Sequence, residues 1–185
     1  MNSVVRLIPV FLLVWLITGC TTVAVTGRKQ LSLISGQQML GLSTSQYQEV
    51  LNTSQLSTDK KQVEMIRRVG ERIKGSVEAY MASINRSGDL QGFNWEFNLI
   101  KDDTTVNAWC MPGGKVAFYT AILPICKDEA GIAVVMGHEV AHAVANHGAE
   151  RMSEQLVAQV GLEAIGSIIG QNPTLAQETL LQAVG

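Results

Sequence analysis

Apolar residues in the first half of the chain recur at every third or fourth position and predict one long helix. Its buried face would consist of Val63, Ile66, Val69, Ile73, Val77, Tyr80, Met81 and Ile84. Asp59 stands where such a helix begins and has the side chain of a helix cap. Further along, residues 93–100 alternate between apolar and polar side chains, which is the period of a strand. We expect the helix to be core scaffold rather than a site of chemistry.

The rest of the chain predicts shorter elements of both kinds. Residues 36–51 favour a short helix. Pro112-Gly113-Gly114 is a turn that leads into a strand over residues 115–119, and together they indicate a hairpin-like edge. Three helices are predicted after this strand, over residues 128–146, over residues 149–169 and from Asn172-Pro173 onward. This order predicts an α+β fold that is mostly helical, with a small β-sheet.

The N-terminus has the layout of a secretory signal. Arg6 precedes an apolar run over residues 7–17, which is shorter than the ~20 residues that a helix needs to cross a bilayer. A permanent anchor helix is the alternative, and it fits this length less well. Ile17-Thr18-Gly19-Cys20 resembles the lipobox of bacterial lipoproteins, in which the cysteine is lipidated and becomes the first mature residue. The resemblance implies a signal peptide over residues 1–19 and a lipid on Cys20.

Composition fits one domain behind this signal. Residues 20–57 are rich in Thr, Ser, Gly and Gln and are expected to form a lipidated tether and N-terminal segment. Residues 58–185 would form the domain itself, since 185 residues with 46% hydrophobic and 16% charged residues suffice for one core. The formal charge of -2 provides no basic field, so we expect no nucleic-acid partner.

Two further cysteines, Cys110 and Cys126, would lie in the oxidising compartment to which a signal peptide directs the chain. They could form a disulfide. They could equally remain unpaired and buried, because sequence alone cannot place their Cα atoms within the ~4.4 to 6.8 Å that a bridge requires. Both outcomes stay open at this stage.

All three histidines of the chain lie in the stretch GHEVAHAVANH, residues 137–147. His138 and His142 are four residues apart, so on a helix they lie about 40° apart and one turn displaced, and both rings can reach one ion. Zinc suits them, because it binds neutral imidazole and a catalytic zinc needs only three protein ligands and an open position. Glu139 flanks that position on the same helix, which is where the general base of a hydrolase belongs.

A chance pair of histidines on a helix is the plainer alternative. The residues around the motif are small and apolar, so unpaired His and Glu side chains among them would be costly to bury, and a metal gives them a role. His147 is nine positions after His138, half a turn around a continuous helix, and is expected to cap the helix end or to support the site. Ala145 and Gly148 occupy the glycine and histidine places of the metzincin motif, which leaves a zincin with a glutamate ligand.

Several motifs are specific when taken as a set. They are Asn107-Ala108, Pro112-Gly113-Gly114, Tyr119-Thr120, the motif over residues 137–142, and His147 with Glu150-Arg151. Together they resemble the zinc metallopeptidases related to HtpX and to the CAAX prenyl proteases, particularly their bacterial periplasmic lipoprotein members. The resemblance spans residues 27–153.

This resemblance implies one Zn²⁺ per chain, with His138 and His142 as ligands and Glu139 as catalytic base. It also implies that the strand of Val116, Ala117 and Phe118 is an edge on which extended substrate lies by strand addition. The third ligand of the family is a glutamate on a later helix, so the chain is expected to be truncated at its C-terminus, with this ligand beyond Gly185. Glu163 and Glu178 are the less favoured candidates, since either is more typical of a solvated helix residue.

The sequence therefore predicts a membrane-anchored zinc metalloendopeptidase that cleaves misfolded or envelope proteins. Its lipid would hold it at the periplasmic face of a membrane in the bacterial cell envelope, with the outer membrane favoured. The alternative is a non-catalytic, chaperone-like envelope lipoprotein that binds proteins through the same cleft. Glu139 separates the two hypotheses, because hydrolysis needs a base at that position and binding does not.

Overall fold

The computed structural model describes residues 20–23, 25, 27–160 and 173–184. The predicted signal peptide, Glu163 and the second half of the helix expected over residues 149–169 lie outside these ranges. Cys20 begins the first strand, and only its backbone is described. Among the described helices, none has both the length and the apolar character needed to cross a membrane.

The N-terminal segment consists of a small hairpin and a helix. Strands β1 (Cys20–Thr22) and β2 (Lys29–Leu31) pair antiparallel, and helix α1 (Gly36–Thr53) follows. Tyr47 of α1 is fully buried, packs edge-on against Trp109 with ring centroids 5.8 Å apart, and donates a hydrogen bond to the Val116 carbonyl. The predicted tether is therefore packed against the sheet from α1 onward.

The long helix predicted from the apolar period is confirmed as α2 (Lys60–Ser83). It begins at Asp59, whose carboxylate accepts a hydrogen bond from the Gln62 N–H at 3.1 Å. Its buried side chains include Ile66, Val69 and Met81. They pack in one core with the sheet and with the later helix that carries the histidine motif. Tyr80, predicted to lie on the buried face, is 48% exposed.

The sheet has three strands, β3 (Glu96–Ile100), β4 (Ala108–Met111) and β5 (Lys115–Tyr119), in the order β3-β5-β4. β5 is parallel to β3 and antiparallel to β4. Gly113 and Gly114 make the turn between β4 and β5 with φ of +86° and +78°, a region open to glycine. The expectation that β5 is a sheet edge is wrong, because a strand pairs with it on each side.

Four helices complete the described fold: α3 (Leu123–Cys126), α4 (Glu129–Val144), α5 (His147–Val160) and α6 (Pro173–Val184). α4 packs against α2 and β4, whereas α5 and α6 pack on each other. α1 also packs on α6, so that these helices bury a second apolar cluster. The predicted α+β architecture, mostly helical with a small sheet, is confirmed.

Candidate metal centre

Helix α4 carries the histidine motif out of the core and into a pocket. It begins after Asp128, whose carboxylate accepts a hydrogen bond from the Gly131 N–H at 2.9 Å. Ile132, Met136 and Val140 are buried on the inner face. This packing leaves the side chains of the motif on the outer face, where His138 is exposed. The apolar spacing of α4 thus determines where the polar residues point.

The two predicted ligands converge on one point. His138 Nε2 and His142 Nε2 lie 3.0 Å apart, and the rings meet edge to face with centroids 4.5 Å apart. Two nitrogens bound to one tetrahedral zinc at about 2.0 to 2.1 Å would be roughly 3.3 to 3.4 Å apart. The two rings therefore need only a small adjustment to bind one metal ion. This geometry agrees with the prediction from the i, i+4 spacing of the two histidines.

Glu139 lies beside this pair and is half-buried. Burial raises the pKa of its carboxyl, while the nearby charges of His138 and Arg151 act in the opposite direction. A raised pKa makes the carboxylate a stronger proton acceptor at neutral pH. The same side chain lines the pocket together with both imidazoles. Its position and electrostatics are those of a general base.

His147 reaches the site by a route that a continuous helix does not allow. α4 ends at Val144, Asn146 has a φ of +56°, and α5 begins at His147. This reversal brings His147 Nδ1 to 2.6 Å from His142 Nδ1. The expectation that His147 points half a turn away from the motif is wrong for this reason. Its predicted supporting role is compatible with the contact.

Burial also lowers the pKa values of His142 and His147. It is the main cause that lowers the pKa of His142, and the charges that His147 and His138 would carry act in the same direction. The pKa of His147 is likewise lowered, chiefly by burial, and Glu150 opposes that shift. Both rings therefore favour the neutral form at physiological pH, and a neutral imidazole is the form that binds a metal.

The pocket in front of the histidines has a volume of about 190 Å³. β4 and the turn after it contribute Cys110 and Pro112, whereas α5 and α6 contribute Arg151 and Val184 among others. The Arg151 guanidinium donates a hydrogen bond to the Ala183 carbonyl at 3.2 Å, which ties α5 to the end of α6. Arg151 and the α6 residues had no assigned role in the sequence, because only the fold brings them to the pocket.

The described residues bring together two of the predicted metal ligands, His138 and His142. Within the described ranges, no three His, Cys, Asp or Glu side chains are grouped so that they could hold an ion. Glu178 lies on the exposed side of α6 and does not line the pocket, as expected for a solvated helix residue. Glu163, the other candidate, lies outside the described residues.

Cys110 and Cys126 are both free and buried. The disulfide that the sequence left open is therefore not formed, although both thiols belong to one apolar cluster. Burial raises the pKa of the Cys110 thiol, and the neighbouring Glu139 charge raises it further. Cys110 therefore favours the neutral thiol at the wall of the pocket.

Val116, Ala117 and Phe118, the predicted substrate edge, are not at an edge of the sheet. Their strand β5 pairs with β3 on one side and with β4 on the other, so it cannot accept an added strand. β4 lies at the end of the sheet. The Tyr119 N–H donates to the Asn107 carbonyl at 3.1 Å, and since bonding alternates along an antiparallel pair, the backbone groups of Ala108 and Cys110 face away from β5.

Comparison with known proteins gives a consistent result. Residues 68–183 match the sequence profile of peptidase family M48. The mitochondrial metalloendopeptidase OMA1 of Saccharomyces cerevisiae is 47% identical over 66 residues, which cover 35% of this chain and 19% of that protein. The metalloendopeptidase OMA1, mitochondrial, of Homo sapiens is 27% identical over 130 residues, 69% of this chain and 23% of that protein.

A bacterial protein is among the relatives. The beta-barrel assembly-enhancing protease of Yersinia pestis is 31% identical over 77 residues, which cover 40% of this chain and 16% of that protein. In all three relatives, the matched region is less than a quarter of the relative's own length.

Proposed function

The chain belongs to peptidase family M48, and on that premise we propose that it is a zinc-dependent metalloendopeptidase anchored to a membrane of the bacterial cell envelope. One observation carries the proposal: two imidazole Nε2 atoms lie 3.0 Å apart beside a half-buried carboxylate. The relatives named as metalloendopeptidases support the reaction class, and the relative from Yersinia pestis supports a bacterial setting.

The chemistry divides between the ion and the residues of α4. When bound, zinc supplies a Lewis acid that lowers the pKa of a water to about 7. His138 and His142 hold the ion. Glu139 accepts the proton of the water that attacks the peptide carbonyl and then delivers it to the leaving amine.

A polypeptide substrate would lie along β4. The outward backbone groups of Cys110 are oriented to pair with an extended segment, and Cys110 lines the pocket that holds Glu139. The outward Ala108 N–H instead donates to the Asn107 side-chain oxygen at 2.8 Å. Strand addition at this edge would place a peptide bond between the sheet and α4. Misfolded or envelope proteins are the proposed substrates, since locally unfolded chains offer extended segments.

The anchor is proposed to be a lipid on Cys20. The tetrapeptide Ile17-Thr18-Gly19-Cys20 supports it, together with the apolar run over residues 7–17, and the favoured location is the periplasmic face of the outer membrane. Growth with a labelled fatty acid should mark the full chain, and Cys20→Ala should remove the label. Labelling that persists in Cys20→Ala would exclude this anchor.

The third zinc ligand is proposed to come from outside the described residues. Glu163 lies in the sequence between α5 and α6 and is the candidate. Glu163→Gln in the full chain tests it. Zinc affinity should fall with this variant, and an unchanged affinity would exclude Glu163 as the ligand.

The test of the function is peptide cleavage by the zinc-loaded full chain. Glu139→Gln should retain zinc and lose nearly all activity, because the ligands survive while the proton acceptor does not. Glu139→Asp is the matched control, since it keeps a shorter base and should retain partial activity. Undiminished cleavage by Glu139→Gln would refute the base role. Binding of unfolded protein without cleavage by the unmodified chain would instead favour the chaperone-like alternative.

A further inference from the structure

The two nitrogens of His142 make contacts on opposite sides of its ring. Nε2 lies 3.0 Å from His138 Nε2, at the point where a metal would bind. Nδ1 lies 2.6 Å from His147 Nδ1, which is hydrogen-bonding distance. His147 is therefore behind His142 as seen from the metal position, and its Nδ1 is engaged there rather than toward the ion.

Either tautomer of His142 satisfies the two contacts with histidines, but only one also allows a metal at Nε2. A neutral imidazole donates at one nitrogen and accepts at the other. A metal needs the lone pair of His142 Nε2, so the proton of His142 must lie on Nδ1 and be donated to His147 Nδ1. The opposite arrangement, with His147 donating, puts the proton of His142 on Nε2 and blocks the metal position.

We propose that His147 is a positioning residue, which accepts a hydrogen bond from His142 Nδ1–H and thereby fixes His142 in the tautomer and orientation that bind zinc through Nε2. The inference rests on the proposed function. Ligating histidines usually donate their second N–H to a carboxylate, a backbone carbonyl or a water. Here the acceptor is a third imidazole from the next helix, whose own proton is then on Nε2.

The fold fixes His147 at this position from several directions. Asn146 adopts the left-handed conformation that turns the chain, and its carbonyl accepts hydrogen bonds from the Ala149 and Glu150 N–H groups. A Cβ at Gly148 would lie 3.0 Å from a methyl carbon of Val184, so α6 packs closely on this turn.

A second connection reaches the same turn from the N-terminal hairpin. Arg28, just before β2, pairs with Glu150 through two hydrogen bonds of 2.7 and 2.5 Å. The first turn of α5 is therefore held by the hairpin as well as by α6. A ring at the start of this turn is well placed to orient a ligand, because its own support does not depend on the metal.

The first experiment measures zinc affinity of the full chain by competition with a chromophoric chelator. His147→Phe keeps the ring but removes the acceptor, and it should weaken zinc binding about 10- to 100-fold. His147→Asn is the matched variant, since its amide oxygen can stand where Nδ1 stands, and it should bind zinc more tightly than His147→Phe. Affinity of folded His147→Phe within twofold of the unmodified chain, or equal losses in both variants, would overturn the proposal.

The second experiment needs no variant. Nitrogen-15 NMR of the metal-free full chain should show His142 protonated on Nδ1 and His147 protonated on Nε2. A proton on Nε2 of His142 would overturn the proposal, whatever the variants show. Both readouts are independent of the Glu139→Gln result. If Glu139→Gln remained fully active, the proposed reaction would fail while the assignment of His147 could still hold.

Discussion

Helices α2 and α4 lie side by side in the same core, yet they use their outer faces differently. α2 buries Ile66 and Met81 and turns residues such as Lys61, Glu64 and Arg67 to solvent. α4 also buries an apolar stripe, but His138, Glu139 and His142 stand together over a pocket. The apolar period therefore identifies a core helix. The kind and spacing of the few polar residues identify the helix that carries chemistry.

The largest expected effect follows from removing a ligand in α4. His142→Ala should abolish tight zinc binding while changing the metal-free unfolding free energy by less than about 1 kcal/mol, because the ring is on the outer face. Metal analysis after dialysis and urea unfolding measure the two quantities. Val134→Ala is the control on the same helix, since this side chain is 74% exposed and lies one turn before the motif. Tight zinc binding by His142→Ala would contradict the role of His142 as a ligand on α4.

The opposite pattern is expected from the core of α2. Ile66 is fully buried, so Ile66→Ala should lower the unfolding free energy by about 2 to 5 kcal/mol. Zinc bound per folded molecule should stay unchanged, because α2 does not reach the pocket. Glu64→Ala, at an exposed position on the same helix, should change stability by no more than about 0.5 kcal/mol. Zinc loss in folded Ile66→Ala would show that the two helices are coupled more strongly than their packing indicates.

Two glycine substitutions, Gly131→Ala in α4 and Gly75→Ala in α2, compare how closely each helix is packed. A Cβ at Gly131, in the first turn of α4, would lie 1.9 Å from the Cys126 carbonyl oxygen, so Gly131→Ala should destabilise by about 1 to 3 kcal/mol. Nothing lies within 4 Å of a Cβ at Gly75 in α2, and Gly75→Ala should stabilise by about 1 kcal/mol through helix propensity. Thermal unfolding of both variants gives the sign of each stability change. Changes of the same sign would contradict the expected close approach of α3 to α4.

The smallest effect concerns the ion pair that joins the two helices, Arg68 of α2 with Glu129 of α4. The hydrogen bond from Arg68 is the main cause that lowers the pKa of Glu129 in the folded chain. A lowered folded pKa means that the pair contributes stability above the unfolded pKa of about 4.3 and that this contribution is lost as pH falls below it. Both side chains are well exposed, so the effect is small.

Urea titrations of the unmodified chain and Glu129→Gln check this sign. The unmodified chain should have the higher midpoint at pH 7, and the gap should close as the pH falls below about 4. Glu64→Gln is the matched control, with no comparable ion pair among the described contacts. A gap that widens on acidification would contradict the assigned direction of the pKa shift.

The helices and the ligand pair could be predicted because their signals are local. Asp59 and Asp128 cap α2 and α4 where the apolar period begins, and each accepts a hydrogen bond from a backbone N–H three residues later. The convergence of His138 and His142 follows from helix geometry alone. Neither result depends on how distant parts of the chain meet.

The strand order could not be predicted from the turn, because a hairpin does not reveal which of its strands pairs again. β5 pairs with β3, and this contact joins residues far apart in sequence. Val116, Ala117 and Phe118 are apolar without alternation, which is typical of a strand covered on both faces. β4 has the same pattern at the end of the sheet, so this pattern indicates burial and does not indicate the strand order.

The error at His147 also has an identifiable cause. Extending one helix through residue 147 assumed that Asn146 is helical, but Asn tolerates the left-handed conformation that often ends a helix. Asn146 before a histidine is therefore a signal for a turn at that point. The contribution of Val184 to the pocket carries no comparable signal, because α6 reaches the site only through tertiary packing.

X-ray absorption at the zinc edge of the zinc-loaded full chain tests whether His138 and His142 bind one zinc ion. We expect two imidazole nitrogens at about 2.0 to 2.1 Å, oxygen in the remaining positions, and no sulfur at about 2.3 Å. Fewer than two imidazoles would contradict the convergence of His138 and His142. A third imidazole would make His147 a ligand instead of a support, and a sulfur ligand would bring Cys110 to the metal. Either result would contradict the site described for α4.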